Sequence, residues 1–143
     1  MRQALYKKCK QRQSGCVIHI RGGDFKTLGW TAVCSPEYYL KAIGIMKEKH
    51  NISDFFYVTD DALYAKSILG VLRKSGVRVT SLMGDTLSDF RTIGSYKYRI
   101  LSSSTFALWA SALGCEASDV IMPAYWSPKK LRRIYLENET RIY

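Results

Sequence analysis

Short apolar, β-branched runs alternate along this chain with longer stretches of helical period, and few architectures accommodate that rhythm. Strands separated by an amphipathic helix pair in parallel, because each crossover returns the chain to the same edge of the sheet and covers one of its faces. Five runs qualify: residues 16–20 (CVIHI), 54–59 (DFFYVT), 76–80 (GVRVT), 98–101 (YRIL) and 119–122 (DVIM). Between the first two, residues 36–49 open with Ser35 as N-cap and Pro36 at the first helical position, and Tyr39, Ile43 and Met46 recur at helical spacing. Residues 61–75 set Leu63, Ile68, Leu69 and Leu72 around one stripe and stop at Gly76. Thr86 or Ser88 caps a third helix running to Tyr96, and residues 105–113 form a fourth that ends at Gly114. Beyond Pro123 the one remaining expectation is a helix over residues 127–135. The fold class expected is α/β, a Rossmann-like parallel sheet with helices on both faces. Length and apolar content suit one domain over residues 1–143.

Composition narrows the partners. No apolar run approaches the ~18 residues of a membrane span, and residues 1–12 are basic and polar, so neither a span nor a secretory signal is expected. Cys9, Cys16, Cys34 and Cys115 form no C-x-x-C pair, and His19 and His50 lie too far apart to complete a zinc site. Reduced thiols in a cytosolic protein without a metal are the expectation. The net charge of +10 favours anionic partners: nucleotides, nucleic acids or an anionic membrane surface. The excess gathers in Arg2, Lys7, Lys8, Lys10 and Arg12, and again in Lys129, Lys130, Arg132 and Arg133. Both clusters read as solvated faces, or as surfaces that meet another part of a longer protein. Nucleic-acid binding would rest on charge alone, for no aromatic-rich RNA motif or helix-turn-helix pattern accompanies it; no nucleic-acid partner is expected.

In an open parallel sheet, ligands bind beyond the carboxyl ends of the strands, where loops converge and helix N-termini point inward. The unusual residues fall there. Arg21 is followed by Gly22 and Gly23, whose backbone can approach phosphate oxygens while the guanidinium engages them; an ordinary glycine turn beside an exposed arginine is the bland alternative. Ser102, Ser103, Ser104 and Thr105 precede a helix, so hydroxyls and free N–H groups there would hold an anion, or Ser104 or Thr105 simply caps the helix. Asp60 and Asp61 open another helix. One caps it, and the other is available to a ribose or base. His19, on a strand, reads as a satisfied core histidine, and Phe106 and Trp109 at helical spacing read as core.

Taken in order, these residues resemble the bacterial α-1,2-fucosyltransferase family, whose pattern runs H-x-R-R-G-D-Y, S-D-D, D…N-S-[ST]-F-S-W-W and P-x-x-W. The counterparts are His19-Ile20-Arg21-Gly22-Gly23-Asp24-Phe25, Thr59-Asp60-Asp61, Asp89 with Ser103-Ser104-Thr105-Phe106-Ala107-Leu108-Trp109, and Pro123-Ala124-Tyr125-Trp126. Pro36-Glu37-Tyr38-Tyr39 matches the family's P-x-Y-Y. The resemblance implies the C-terminal, donor-binding domain of a GT-B glycosyltransferase that transfers fucose from GDP-fucose to a galactoside hydroxyl with inversion and without a metal. It implies Arg21 on the β-phosphate, His19 near the nucleoside, Ser103, Ser104, Thr105 and Phe106 at the phosphate, and Asp89 at the guanosine. Asp60, Asp61, Gly22 and Gly23 complete the expected donor site. Asp24 is the candidate base by position, with a structural bond to its own loop as the alternative.

Two departures stand out. Gly22 replaces the family's second arginine, and the G-G-L-G-N-Q motif of the N-terminal, acceptor half is missing. A fragment or a GDP-sugar-binding module without turnover is therefore the second reading. Surface-glycan or O-antigen synthesis is implied by resemblance, on the cytoplasmic side and peripheral to an anionic membrane or docked to a missing half.

Overall fold

The computed structural model describes residues 13–82 and 84–143. Its strands are β1 (Gln13–Ile20), β2 (Phe55–Thr59), β3 (Val79–Ser81), β4 (Tyr96–Ile100), β5 (Asp119–Pro123), β6 (Tyr125–Ser127), β7 (Lys130–Leu131) and β8 (Glu139–Ile142). Its helices are α1 (Phe25–Leu28), α2 (Pro36–His50), α3 (Ala62–Lys74), α4 (Thr86–Ser95) and α5 (Thr105–Leu113), with a 3-10 turn over Trp30–Cys34. Six strands form one parallel sheet in the order β3-β2-β1-β4-β5-β8. The order reverses between β1 and β4, where helices leave to opposite faces and a crevice opens at the strand ends.

The helices form where the sequence supplies their ends. Ser35 caps α2 by accepting the Tyr38 N–H, Asp61 caps α3 at Tyr64, Asp85 caps α4 at Ser88, and Ser104 caps α5 at Ala107. Each such cap is worth about 0.5–2 kcal/mol. On one face of the sheet Ile18 and Ile20 pack with Tyr39, Ile43, Met46 and Leu72 of α2 and α3. On the other, Ile93 of α4 and Leu108 of α5 pack with Val58, Leu101, Val120 and Met122. Burying each such side chain contributes about 1.5–3 kcal/mol, so covering both faces is the main term that holds the sheet flat between its helices.

Two buried arginines tie strands of the sheet to the segments around them. The Arg99 guanidinium donates to the carbonyls of Tyr96, Gly94, Ser111 and Cys115, which ties β4 to the ends of α4 and α5. Arg132 pairs with Glu139, donates through Nε to the Pro123 carbonyl at 2.7 Å, and faces the Trp126 and Tyr135 rings. An interior guanidinium is tolerated only when its donors are met in this way.

The structure corrects several expectations. Residues 127–135 form no helix; β6 and β7 make an antiparallel hairpin there, held by the Arg132 bonds that a helix would break. The parallel edge strand β8 had no counterpart in the sequence reading. Arg132, read as part of a solvated cluster, is 0% exposed, and Trp109, read as core, is 53% exposed. Cys16 and Cys34 are free and buried, but Cys115 is disulfide-bonded, which corrects the expectation of reduced thiols throughout. The basic cluster at Arg2, Lys7, Lys8, Lys10 and Arg12 lies outside the described residues.

Candidate functional site

The ends of β1 and β4 are pinned side by side. His19 Nδ1 lies 2.7 Å from the Ser102 hydroxyl, a bond between the last turns of the two central strands. From the α2 side, the Tyr39 hydroxyl donates to the His19 carbonyl at 3.3 Å and that of Tyr38 to the Leu101 carbonyl at 2.5 Å. Burial, reinforced by the Arg21 charge, holds the His19 pKa down at about 3, so the imidazole is neutral and its role is to position. The His19 ring also packs 5.7 Å from that of Phe106 in the first turn of α5.

The loop after β1 folds onto the start of α3. Gly22 N–H donates to Asp60 Oδ1 at 2.9 Å and Gly23 N–H to Asp61 Oδ2 at 3.1 Å. Arg21 reaches Asp60 Oδ2 at 3.0 Å and Asp24 Oδ1 at 2.8 Å, and Lys26 Nζ sits 2.5 Å from Asp61 Oδ2. The Lys26 bond, with help from the Tyr64 and Gly23 amides, holds the Asp61 carboxyl down at about 2. This packing accounts for Gly22: a Cβ there would stand 2.7 Å from the Asp61 Cβ and 2.9 Å from that of Tyr64. Gly23, at φ +50°, takes the left-handed backbone that completes the turn.

The loop after β4 is built differently. Ser102, Ser103 and Ser104 are buried, the Ser103 amide meets Cys34 Sγ at 3.3 Å, and Ser104 caps α5. Thr105 and Phe106 follow at the first two helical positions, whose N–H groups have no carbonyl within the helix to meet. They lie at the positive end of the helix dipole.

Beside that helix start a cavity of ≈ 460 Å³ opens, lined by Phe25, Trp30, Ser103, Thr105, Trp126 and Lys130. Its walls are aromatic, and its polar groups are the hydroxyls of Ser103, Thr105 and Ser127 and the Lys130 ammonium. Phe25 and Trp30 meet edge to face at 5.3 Å, and the Arg21 guanidinium lies 5.1 Å over the outer side of the Phe25 ring. Of the expected donor residues, Ser103 and Thr105 line the cavity directly. Arg21, Asp24, Gly22, Gly23, Asp60 and Asp61 form one hydrogen-bonded cluster behind Phe25. Asp89 stands apart: it accepts the Gly84 N–H at 3.0 Å, burial raises its pKa, and its neighbour Phe90 packs on Phe106 at the start of α5.

Sequence reasoning missed Trp30 and Lys130. Trp30 carries a faint signal, an aromatic residue after Gly29 just past the glycine loop. Lys130 carries none, since only the hairpin directs it from a basic cluster to the cavity. Among the described residues no three His, Cys, Asp or Glu side chains gather as metal ligands, and no helix is long and apolar enough to cross a membrane.

Comparison with known proteins agrees with this arrangement of motifs. An alpha-1,2-colitosyltransferase of Escherichia coli is 28% identical over 115 residues, a stretch that covers 76% of this chain and 40% of that enzyme. No solved structure matches the chain significantly. The profile of glycosyl transferase family 11 matches residues 2–141, almost the whole sequence, and the chain belongs to that family.

Proposed function

We propose that this domain binds the nucleotide-sugar donor of a glycosyl transfer, with GDP-fucose as the leading donor and a galactoside hydroxyl as acceptor. The observation that carries the reading is the cavity at the switch point of the sheet, where the start of α5, three hydroxyls and Lys130 stand among aromatic walls. Free amides at a helix start and a lysine suit a diphosphate, and the Phe25, Trp30 and Trp126 rings suit a base or a sugar. Arg21 is assigned to the β-phosphate: it lies one ring away and exchanges Asp24, whose side chain is 62% exposed, for a phosphate oxygen.

The chemistry follows from where charge develops. As the C–O bond to the diphosphate breaks, the sugar gains oxocarbenium character and the β-phosphate gains negative charge. Fixed donors aimed at that oxygen favour the transition state over the ground state, each contributing on the order of 2.7–4 kcal/mol. Asp24 is ion-paired to Arg21, which favours a positioning role over that of base for the acceptor. The site needs no metal in this account. Transfer takes place at the cytoplasmic face of a membrane in surface-glycan synthesis, with the basic excess meeting anionic lipid or a second half of the transferase.

A colitosyl donor is the alternative that the Escherichia coli relative suggests, and a module that binds without turnover is suggested by the 40% share of that relative which aligns here. Calorimetry with GDP, GDP-fucose and a nucleotide-linked colitose, run beside a transfer assay on simple galactosides, tests all three. Micromolar binding of GDP-fucose with transfer supports the leading reading. Binding without transfer supports the module, and no binding of any nucleotide removes both.

A further inference from the structure

A second chamber shares a wall with the first. The 3-10 turn packs against β6, and residues of both alternate in direction: Trp30 and Trp126 face the aromatic cavity, whereas Val33 and Tyr125 face a separate one of ≈ 350 Å³. This second chamber is open to solvent and bordered by Glu37 and Lys41 from α2 and by Ile142 and Tyr143 at the end of β8. Both volumes fall in the range of small-molecule sites, roughly 300–1,000 Å³.

The chemistry of the lining differs from that next door. The Tyr125 and Tyr143 rings meet edge to face at 6.5 Å, so each offers an apolar surface and a hydroxyl. Glu37 and Lys41 stand one helical turn apart and form no ion pair with each other or with another described side chain. One carboxylate and one ammonium leave the chamber without net charge, so nothing in it selects a phosphate. Several donors and acceptors around an apolar ring surface instead fit a neutral polyhydroxylated ligand, whose C–H face packs on tyrosine while its hydroxyls bridge the two charges.

We propose that this chamber is a carbohydrate subsite that takes a hexose unit of the acceptor glycan, so that part of acceptor recognition lies on the donor-binding half. The proposal rests on the transferase reading for the word acceptor, but the site itself does not depend on it. The shared wall sets the two ligands on either side of Trp30 and Trp126, at the same edge of the sheet.

The test uses the full 143-residue chain. Saturation-transfer NMR and calorimetry with methyl β-galactoside and lactose should show millimolar binding, weakened roughly five- to tenfold by Glu37→Gln and by Tyr125→Ala, about the worth of one net hydrogen bond or contact. GDP affinity, measured on the same samples, should stay unchanged in both variants. Glu37→Gln alters an exposed side chain and keeps a group that can accept from the Ser35 hydroxyl, so with circular dichroism unchanged it protects the test if Tyr125→Ala unfolds. Absence of sugar binding, or sugar binding indifferent to both substitutions, overturns the subsite even if GDP binds. Sugar binding that depends on Glu37 in a chain that ignores GDP upholds the subsite and removes the donor reading instead.

Discussion

The loops after β1 and β4 lie next to each other at the same edge of the sheet, yet they differ in what they leave free. The β1 loop carries the conspicuous charges, and acids from the end of β2 satisfy nearly all of them: Asp60 and Asp61 accept the Gly22 and Gly23 amides and pair with Arg21 and Lys26. The β4 loop carries no charge at all, but it ends in a helix start whose first residue, Thr105, lines a cavity. A charged motif therefore marks a place that is rigid, while a neutral one marks a place with unmet donors. Anion binding depends on the second property, and charge at the first contributes only if a ligand competes successfully with carboxylates already in place.

Four substitutions break or sharpen this contrast. Arg21→Ala has the largest expected effect, because it deletes the proposed phosphate donor and removes the counter-charge of Asp60 and Asp24. GDP affinity should fall by about a hundredfold or more, in line with roughly 2.7–4 kcal/mol per oriented donor, with circular dichroism unchanged. Unaltered affinity in the folded variant would assign all anion binding to the β4 loop and Lys130. Next comes Gly22→Arg, which restores the family's second arginine. The clash of its Cβ with Asp61 and Tyr64 should cost about 1–3 kcal/mol in urea denaturation and bring no gain in GDP binding; a gain would show that the β1 loop opens readily.

The third concerns the bond between the loops. Native His19 is held neutral, with a pKa of about 3, whereas the unfolded imidazole titrates near its ordinary 6.5. Its contribution is therefore complete above pH 6.5 and is lost as pH falls toward 3, at up to about 1.4 kcal/mol per pH unit. Urea denaturation at pH 7, 6 and 5 should show that decline in the wild type and a flatter one in His19→Asn. Parallel curves would mean that burial does not hold His19 neutral in the folded chain. The smallest effect belongs to Asp24→Asn, which weakens a half-exposed ion pair worth at most ~1 kcal/mol. It should raise GDP affinity severalfold by freeing Arg21; a loss of turnover with unchanged affinity would instead restore Asp24 as the base.

Much of the scaffold was legible in the sequence because it is written locally. Ser35-Pro36, Asp61 and Ser104 announce three helix starts, and CVIHI, DFFYVT and DVIM are apolar enough to belong only inside a sheet. The β8 segment ETRI is half polar and gains its place from Arg132, seven residues earlier, whose partners include the Pro123 carbonyl across the hairpin. No window of local periodicity contains those contacts, so residues 127–135 read as a helix. The site divides in the same way. His19, Arg21 and the serine run stand at strand ends that the pattern already placed, whereas Lys130 and Trp30 reach the cavity through a turn and a hairpin that only tertiary contacts define.

Arg132 also decides how much of the chain must be intact for binding to be possible. It presses on Trp126, a wall of the aromatic cavity, and its counter-charge is Glu139 on the last strand. Proteolytic trimming that removed Glu139 would strand a cation inside the domain, and relaxing that strain means releasing the tryptophan. A handful of residues at the tail, none of them lining the aromatic cavity, would thus set its shape from behind.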